Sequence, residues 1–206
     1  ATVEDNPVWH TAQYSWEAGA AKSRFWACTN WGSSCPNLQA TGHMGVDEQV
    51  KFQVGYLAYY QGDIDIRDAS KQSDYMVAYG TKTQGASVED DILNLHFYHT
   101  LAKISFEDKT NGEIASLQLD VTYNGGSLYV STQGISEWVD LSNTWPTKTM
   151  TGGNGCMYLM PQTATVESPI TVTIVLQNGT EKTKTLTDVN WQVGYEYTYG
   201  INLASN

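Results

Sequence analysis

The stretch ILNLHFYHTLAKISFE, residues 92–107, carries its apolar side chains in two phases. Leu93, Leu95, Phe97 and Leu101 occupy odd positions, whereas Ile104 and Phe106 occupy even ones. Successive side chains of a strand point to opposite faces, so the change turns the buried face over. A bulge, one extra residue within a strand, has this effect, and so does a strand that leaves one core and enters another. HTLAK, residues 99–103, is the crossover. The pattern fits two architectures: two domains meeting near Lys103 to Thr110 without a flexible linker, or a single large sandwich with a bulge.

The sequence on either side is dominated by strand signals. SLQLDVTY alternates Leu117, Leu119, Val121 and Tyr123 with polar residues, NGGS follows, and Leu128 and Val130 resume the pattern, which predicts a hairpin. ITVTIVLQNGTEKTKTLT predicts a second hairpin turning at Asn178-Gly179, a strong short-range turn signal. WQVGYEYTYGINLASN places Trp191, Val193, Tyr195, Tyr197, Tyr199, Ile201 and Leu203 on one side of a single long closing strand. Helical periodicity is weak, and DIRDASKQSDYMVAY supports at most a turn or two. Antiparallel strands with one buried face pack as sandwiches. The expected fold is all-β, with two β-sandwich domains of Greek-key type in tandem, residues 1–107 and 108–206. The first is partial and loop-rich.

Composition narrows the function. A chain of 206 residues with net charge -11 and only 11 Lys and Arg is a poor partner for phosphate backbones, so nucleic acid is not expected. No apolar run is long enough to cross a bilayer as a helix, and Ala1 begins without a basic and apolar leader. Either the chain stays inside the cell or a leader has been removed. The abundance of Trp, Tyr, Thr, Asn and Gly beside few basic residues leans to export.

Chemistry-bearing motifs are absent: there is no G-x-S-x-G, no P-loop and no H-E-x-x-H, so neither catalysis nor a cofactor is expected. His96 and His99 lie three apart, which in a strand points them to opposite faces and rules out joint chelation. Asp63, Asp65 and Asp68 lack the glycine and distal Glu of a calcium loop. No metal site is expected. Cys28 and Cys35 flank a short loop and are either a disulfide or two thiols, while Cys156 is expected to be a small buried hydrophobe. Trp9, Trp16, Trp26 and Trp31 crowd the N-terminal segment. They are candidate glycan-contact aromatics on a carbohydrate-binding face, although large aromatics more often fill cores.

LHFYHTLAKISFE resembles the junction segment of the fimbrillin family of Bacteroidetes, an F-x-H-x-x-A-K type motif supplied here by Phe97, His99, Ala102 and Lys103. YLMPQ, residues 158–162, resembles the family's apolar-Pro-Gln segment, and WQVGYEYTYGINL resembles its closing strand. YSWEAGAAKSRFWA and SDYMVAYGT are similar to segments upstream of the junction. The resemblance implies transthyretin-like sandwiches and a non-enzymatic fimbrial or surface adhesion protein, exported and lipid-anchored before processing. Its implied partners are other fimbrial subunits, joined by strand addition, and a ligand on a host or bacterial surface. The start at Ala1 suggests a processed form, and the end at Asn206 suggests a subunit that accepts a donor strand without offering one, as at a fimbrial tip.

Overall fold

The computed structural model describes residues 22–28, 39–40, 49–54, 68–72, 74, 76–83, 94–131, 133–143 and 147–203. Within them the chain is almost entirely β. In order, the strands are β1 (Lys22–Cys28), β2 (Gln39–Ala40), β3 (Gln49–Val54), β4 (Met76–Thr83), β5 (Tyr98–His99) and β6 (Ala102–Asp108). They continue with β7 (Ile114–Asp120), β8 (Gly125–Ser131), β9 (Gly134–Ser142), β10 (Thr147–Thr151) and β11 (Gly155–Leu159). The last five are β12 (Gln162–Ala164), β13 (Ile170–Leu176), β14 (Glu181–Leu186), β15 (Val189–Trp191) and β16 (Glu196–Ile201). In the weakly helical stretch one 3-10 turn, Ala69–Lys71, forms before β4 begins at Met76, and Asp68 caps it by accepting from the Ser70 amide.

Two apolar cores organise these strands. The larger is filled from the sheet β10-β7-β13-β14, from the sheet β11-β6-β16, and from the pair β12-β15. Strand β13, ITVTIVL, alternates buried and half-buried residues along its whole length, as a β-branched strand with one face against a core should. The smaller core gathers Val77 and Tyr79 of β4, Leu128 and Val130 of β8, Trp138 of β9, and Leu101 and Met160. Its strands belong to the sheets β1-β4-β5 and β2-β3-β8-β9.

Strands β7 and β8 do not form the hairpin expected around NGGS. β7 pairs with β10 and β13, whereas β8 pairs with β3 and β9. Alternation marks each strand correctly but is blind to which sheet receives it. The turn residues belong to a crossing between cores: Asn124 is buried and its amide donates to Ser142 O. The second hairpin does form, with β13 antiparallel to β14 and Gly179 at φ 82° in the turn.

The closing segment is two strands rather than one. β15 pairs with β12, the chain turns over Gln192–Tyr195 with Gly194 at φ 76°, and β16 then runs parallel to β6, so the fold is not purely antiparallel. Trp191, Tyr197, Tyr199, Ile201 and Leu203 reach the larger core; Val193 packs on the smaller one, and Tyr195 is 60% exposed. A glycine that can take positive φ is what lets the alternation break there. Cys156 also departs from expectation: it is a half-buried free thiol on the outward side of β11, because Met157 and Leu159 take the inward positions.

Edge strand β14 is guarded. Its Lys182 and Lys184 pair in register with Ile174 and Val172, on the core side of the sheet, yet remain exposed at its rim. Inward-pointing charges at an edge discourage pairing with another chain. Tighter still is the turn before β11, where a Cβ on Gly153 would lie 2.8 Å from Ile114 Cδ1 and 2.9 Å from Asp108 Cβ. Gly153→Ala is therefore expected to cost about 1–3 kcal/mol in urea unfolding, as overpacking does. A neutral result would mean that Ile114 moves aside freely.

Candidate functional site: the junction between the cores

The phase change in residues 92–107 is where the chain passes from one core to the other. Leu101 is buried in the smaller core, while Ala102, Ile104 and Phe106 are buried in the larger. The strand does not run through with a bulge; it breaks at Thr100 and Leu101, between β5 and β6. Of the odd-numbered set, Leu93 lies outside the described residues; of the other three, Leu95 is half-buried, Phe97 is 37% exposed and Leu101 alone is buried in a core.

β6 enters the larger sandwich as a wedge. Beyond Leu159 and before Glu196 the segments β12 and β15 pair directly, Gln162 opposite Trp191. On the other side of that point β6 lies between β11 and β16, with Leu159 opposite Ala102 and Glu196 opposite Lys103. Ala102, fully buried, sits at the fork. A small side chain suits a place where three strands converge.

Breaking a strand in a buried place strands backbone polar groups, and each needs a partner. Thr100 O accepts from the Trp138 indole Nε1 at 2.7 Å, and Leu101 O accepts from Gly194 N at 3.0 Å. Lys103 N donates to Tyr195 O at 2.9 Å. The second crossing, between β7 and β8, is served by Gln162, which is 6% exposed. Its Oε1 accepts from Thr122 N at 2.8 Å and from Tyr123 N at 3.2 Å, and its Nε2 donates to Met160 O at 3.0 Å and to Tyr123 O at 3.4 Å. One buried amide thus satisfies four backbone groups on two segments. Asn143, just after β9, donates from Nδ2 to Val121 O at 3.3 Å.

The motif residues divide between structure and surface. Ala102 and Lys103 sit at the fork. His99 is exposed, with Nδ1 2.7 Å from Asp74 Oδ2, and its Cβ lies close to Gly194. Phe97 is part of neither core. His96 is exposed and packs its ring on Tyr98 at 4.8 Å between centroids. Trp9, Trp16, Trp31 and Cys35 lie outside the described residues, as does the side chain of Trp26, and so do the glycan face and the disulfide. Sequence reasoning missed Trp138 and singled out Gln162 only within YLMPQ; a Gln following Met-Pro between two apolar strands was the available signal.

On the outward face, Lys103 Nζ lies 3.1 Å from Glu196 Oε1, which also accepts from Ser105 Oγ at 2.7 Å. The Ser105 hydrogen bond, then Lys103, holds the Glu196 carboxyl below its ordinary value of 4.5, and the hydrogen bond from Lys103 to Glu196 raises the lysine above 10.5. A carboxyl whose folded pKa is depressed stabilises above its unfolded pKa and loses that contribution as pH falls through the folded value. Glu196→Gln is accordingly expected to lower stability at neutral pH by a small amount, because the pair is exposed, and to leave it unchanged in strong acid, so that the acid limb of the stability curve below about pH 4.5 flattens by that same amount. Urea midpoints across acid pH check this, and an unchanged slope would refute it.

Among the described residues no helix is long and apolar enough to cross a membrane, and no group of three or more His, Cys, Asp or Glu could hold a metal ion. The arrangement is an all-β protein whose chain crosses between two cores through a hydrogen-bonded joint. The chain belongs to the fimbrillin-like family, whose pattern it matches over residues 49–206. It is similar in fold to a candidate cell adhesion protein of Bacteroides uniformis, at 15% identity and TM-score 0.52, over 91% of this chain and 70% of that one. A second candidate cell adhesion protein, from Bacteroides ovatus, is 14% identical with TM-score 0.47, over 89% of this chain and 83% of that one. No curated protein matches.

Proposed function

We propose that this protein is a non-enzymatic subunit of a surface fimbria, or a fimbrillin-like adhesion protein, exported to the outer membrane surface with a lipid on its precursor. The observation that carries the reading is the fimbrillin-like family match over residues 49–206. In this reading the two cores are two transthyretin-like sandwiches, assigned to residues 1–107 and 108–206, with strands β8 and β9 lent by the second segment to the first core. Neighbouring subunits join by strand addition, in which main-chain hydrogen bonds complete an open sheet and alternate side chains fill its core. A tip or accessory position suits a chain that accepts a strand.

Labelling filaments sheared from the producing cells with antibody against this chain tests the proposal. Label on filaments, absent after deletion of the gene, is the expected result, and label concentrated at filament ends supports the tip position. Filaments that form and label identically without the gene would overturn the assignment. Long homopolymers formed unaided by the purified chain would remove the tip role alone.

A further inference from the structure

The chain contains four Asn-Gly pairs, at Asn111, Asn124, Asn154 and Asn178. We propose that Asn111, in the turn between β6 and β7, is a site of spontaneous deamidation in the folded protein, and that the fold holds the other three pairs back.

The chemistry needs no enzyme or co-reactant beyond water. The backbone nitrogen of the following glycine attacks the Asn Cγ, the new N–C bond closes a five-membered succinimide, and the C–N bond to the side-chain amide breaks. The glycine nitrogen gives its proton to a base, and the departing nitrogen leaves as ammonia. Water then opens the ring at either carbonyl to give aspartate or isoaspartate, so a neutral amide becomes a carboxylate. Glycine favours the step because no Cβ obstructs the approach, and asparagine is among the thermally labile residues for this reason.

Access to that reaction differs among the four sites. Asn124 is 3% exposed, so the side chain has no room to swing and no water to open a ring, and its backbone N–H is tied to Ser142 O. Asn154 is exposed, but its Oδ1 accepts from Asp108 N at 2.8 Å, and Gly155 is locked into the β11 ladder opposite Phe106. Asn178 is exposed, with Oδ1 holding Thr180 N at 2.9 Å and Gly179 N held by Leu176 O at 2.9 Å. At Asn154 and Asn178 the side-chain bond must break before the amide can rotate toward its neighbour.

The Asn111 side chain carries no such restraint. It is exposed, its side-chain amide makes no hydrogen bond among the described residues, and nothing lies within 4 Å of a Cβ built on Gly112. Its backbone sits at φ 62°, the left-handed region that asparagine tolerates in turns. Reaction would add a negative charge to a turn already holding Asp108 and Glu113, and isoaspartate would insert an extra backbone atom between β6 and β7.

The test is peptide mapping by mass spectrometry of the full folded chain after incubation in mildly alkaline buffer, beside the same chain in denaturant. The expected result is aspartate and isoaspartate accumulating at Asn111 several-fold faster than at Asn178, with Asn154 and Asn124 slowest. In denaturant the four rates should converge. Asn111→Gly, which takes φ 62° freely, should abolish the first acidic species while the folded chain keeps its urea midpoint. Equal rates in the folded chain, or Asn178 leading, would overturn the proposal.

Discussion

Replacing Gln162 with Met lowers the stability of the folded chain by about 3–5 kcal/mol, a large share of what a domain of this size has to lose. Methionine matches glutamine in shape, so packing at the junction is kept while the hydrogen bonds go. The amides of Thr122 and Tyr123 then lose the acceptor Oε1, and the carbonyls of Met160 and Tyr123 lose the donor Nε2. An unsatisfied buried backbone group costs about 1–3 kcal/mol each, and the longer of these bonds, 3.2 and 3.4 Å, fall toward the low end of that range. Urea unfolding of the variant and the parent measures the difference. A loss below about 1 kcal/mol would mean that water enters the crossing and replaces the side chain, and that Gln162 is not the fastener of the two segments.

What the sequence disclosed, and where it stopped, follows from the range of the forces involved. Alternation is a local signal, so β13, β14 and the turn at Gly179 were legible, and so was the change of phase around Leu101. Partner choice is not local. Nothing in SLQLDVTY or SLYVST says that β7 joins β13 while β8 joins β3, because either strand could present its apolar face to either core. The closing segment shows the same limit: Tyr195 and Tyr197 keep perfect alternation with Trp191, and only Gly194 hints that the chain turns between them. The junction motif was visible as a pattern, yet its most buried polar member, Gln162, acquires meaning only when the crossing at Thr122 and Tyr123 is brought beside it. Trp138 was hidden for a related reason. An indole reads as bulk in a sequence, whereas here its nitrogen closes a backbone group stranded at the first crossing.

Trp138 gives the second large effect. Trp138 is 8% exposed in the smaller core and its Nε1 donates to Thr100 O, two residues before the chain enters the larger core at Ala102. Trp138→Phe keeps most of the apolar burial and removes the donor, with an expected cost of about 1–3 kcal/mol; Trp138→Ala also opens a cavity, raising the cost to about 3–5 kcal/mol. The more telling readout is where the loss appears. β8 and β9 complete the smaller core but lie in sequence between β7 and β10 of the larger one, so neither core holds a continuous run of chain. Freeing them would drag at both crossings that Gln162 and Trp138 fasten. Unfolding followed by tryptophan fluorescence and by far-ultraviolet circular dichroism should therefore give coincident transitions, and Trp138→Phe should shift both together. Two separated transitions, with the variant moving only one, would show that the cores stand independently and that the joint merely tethers them.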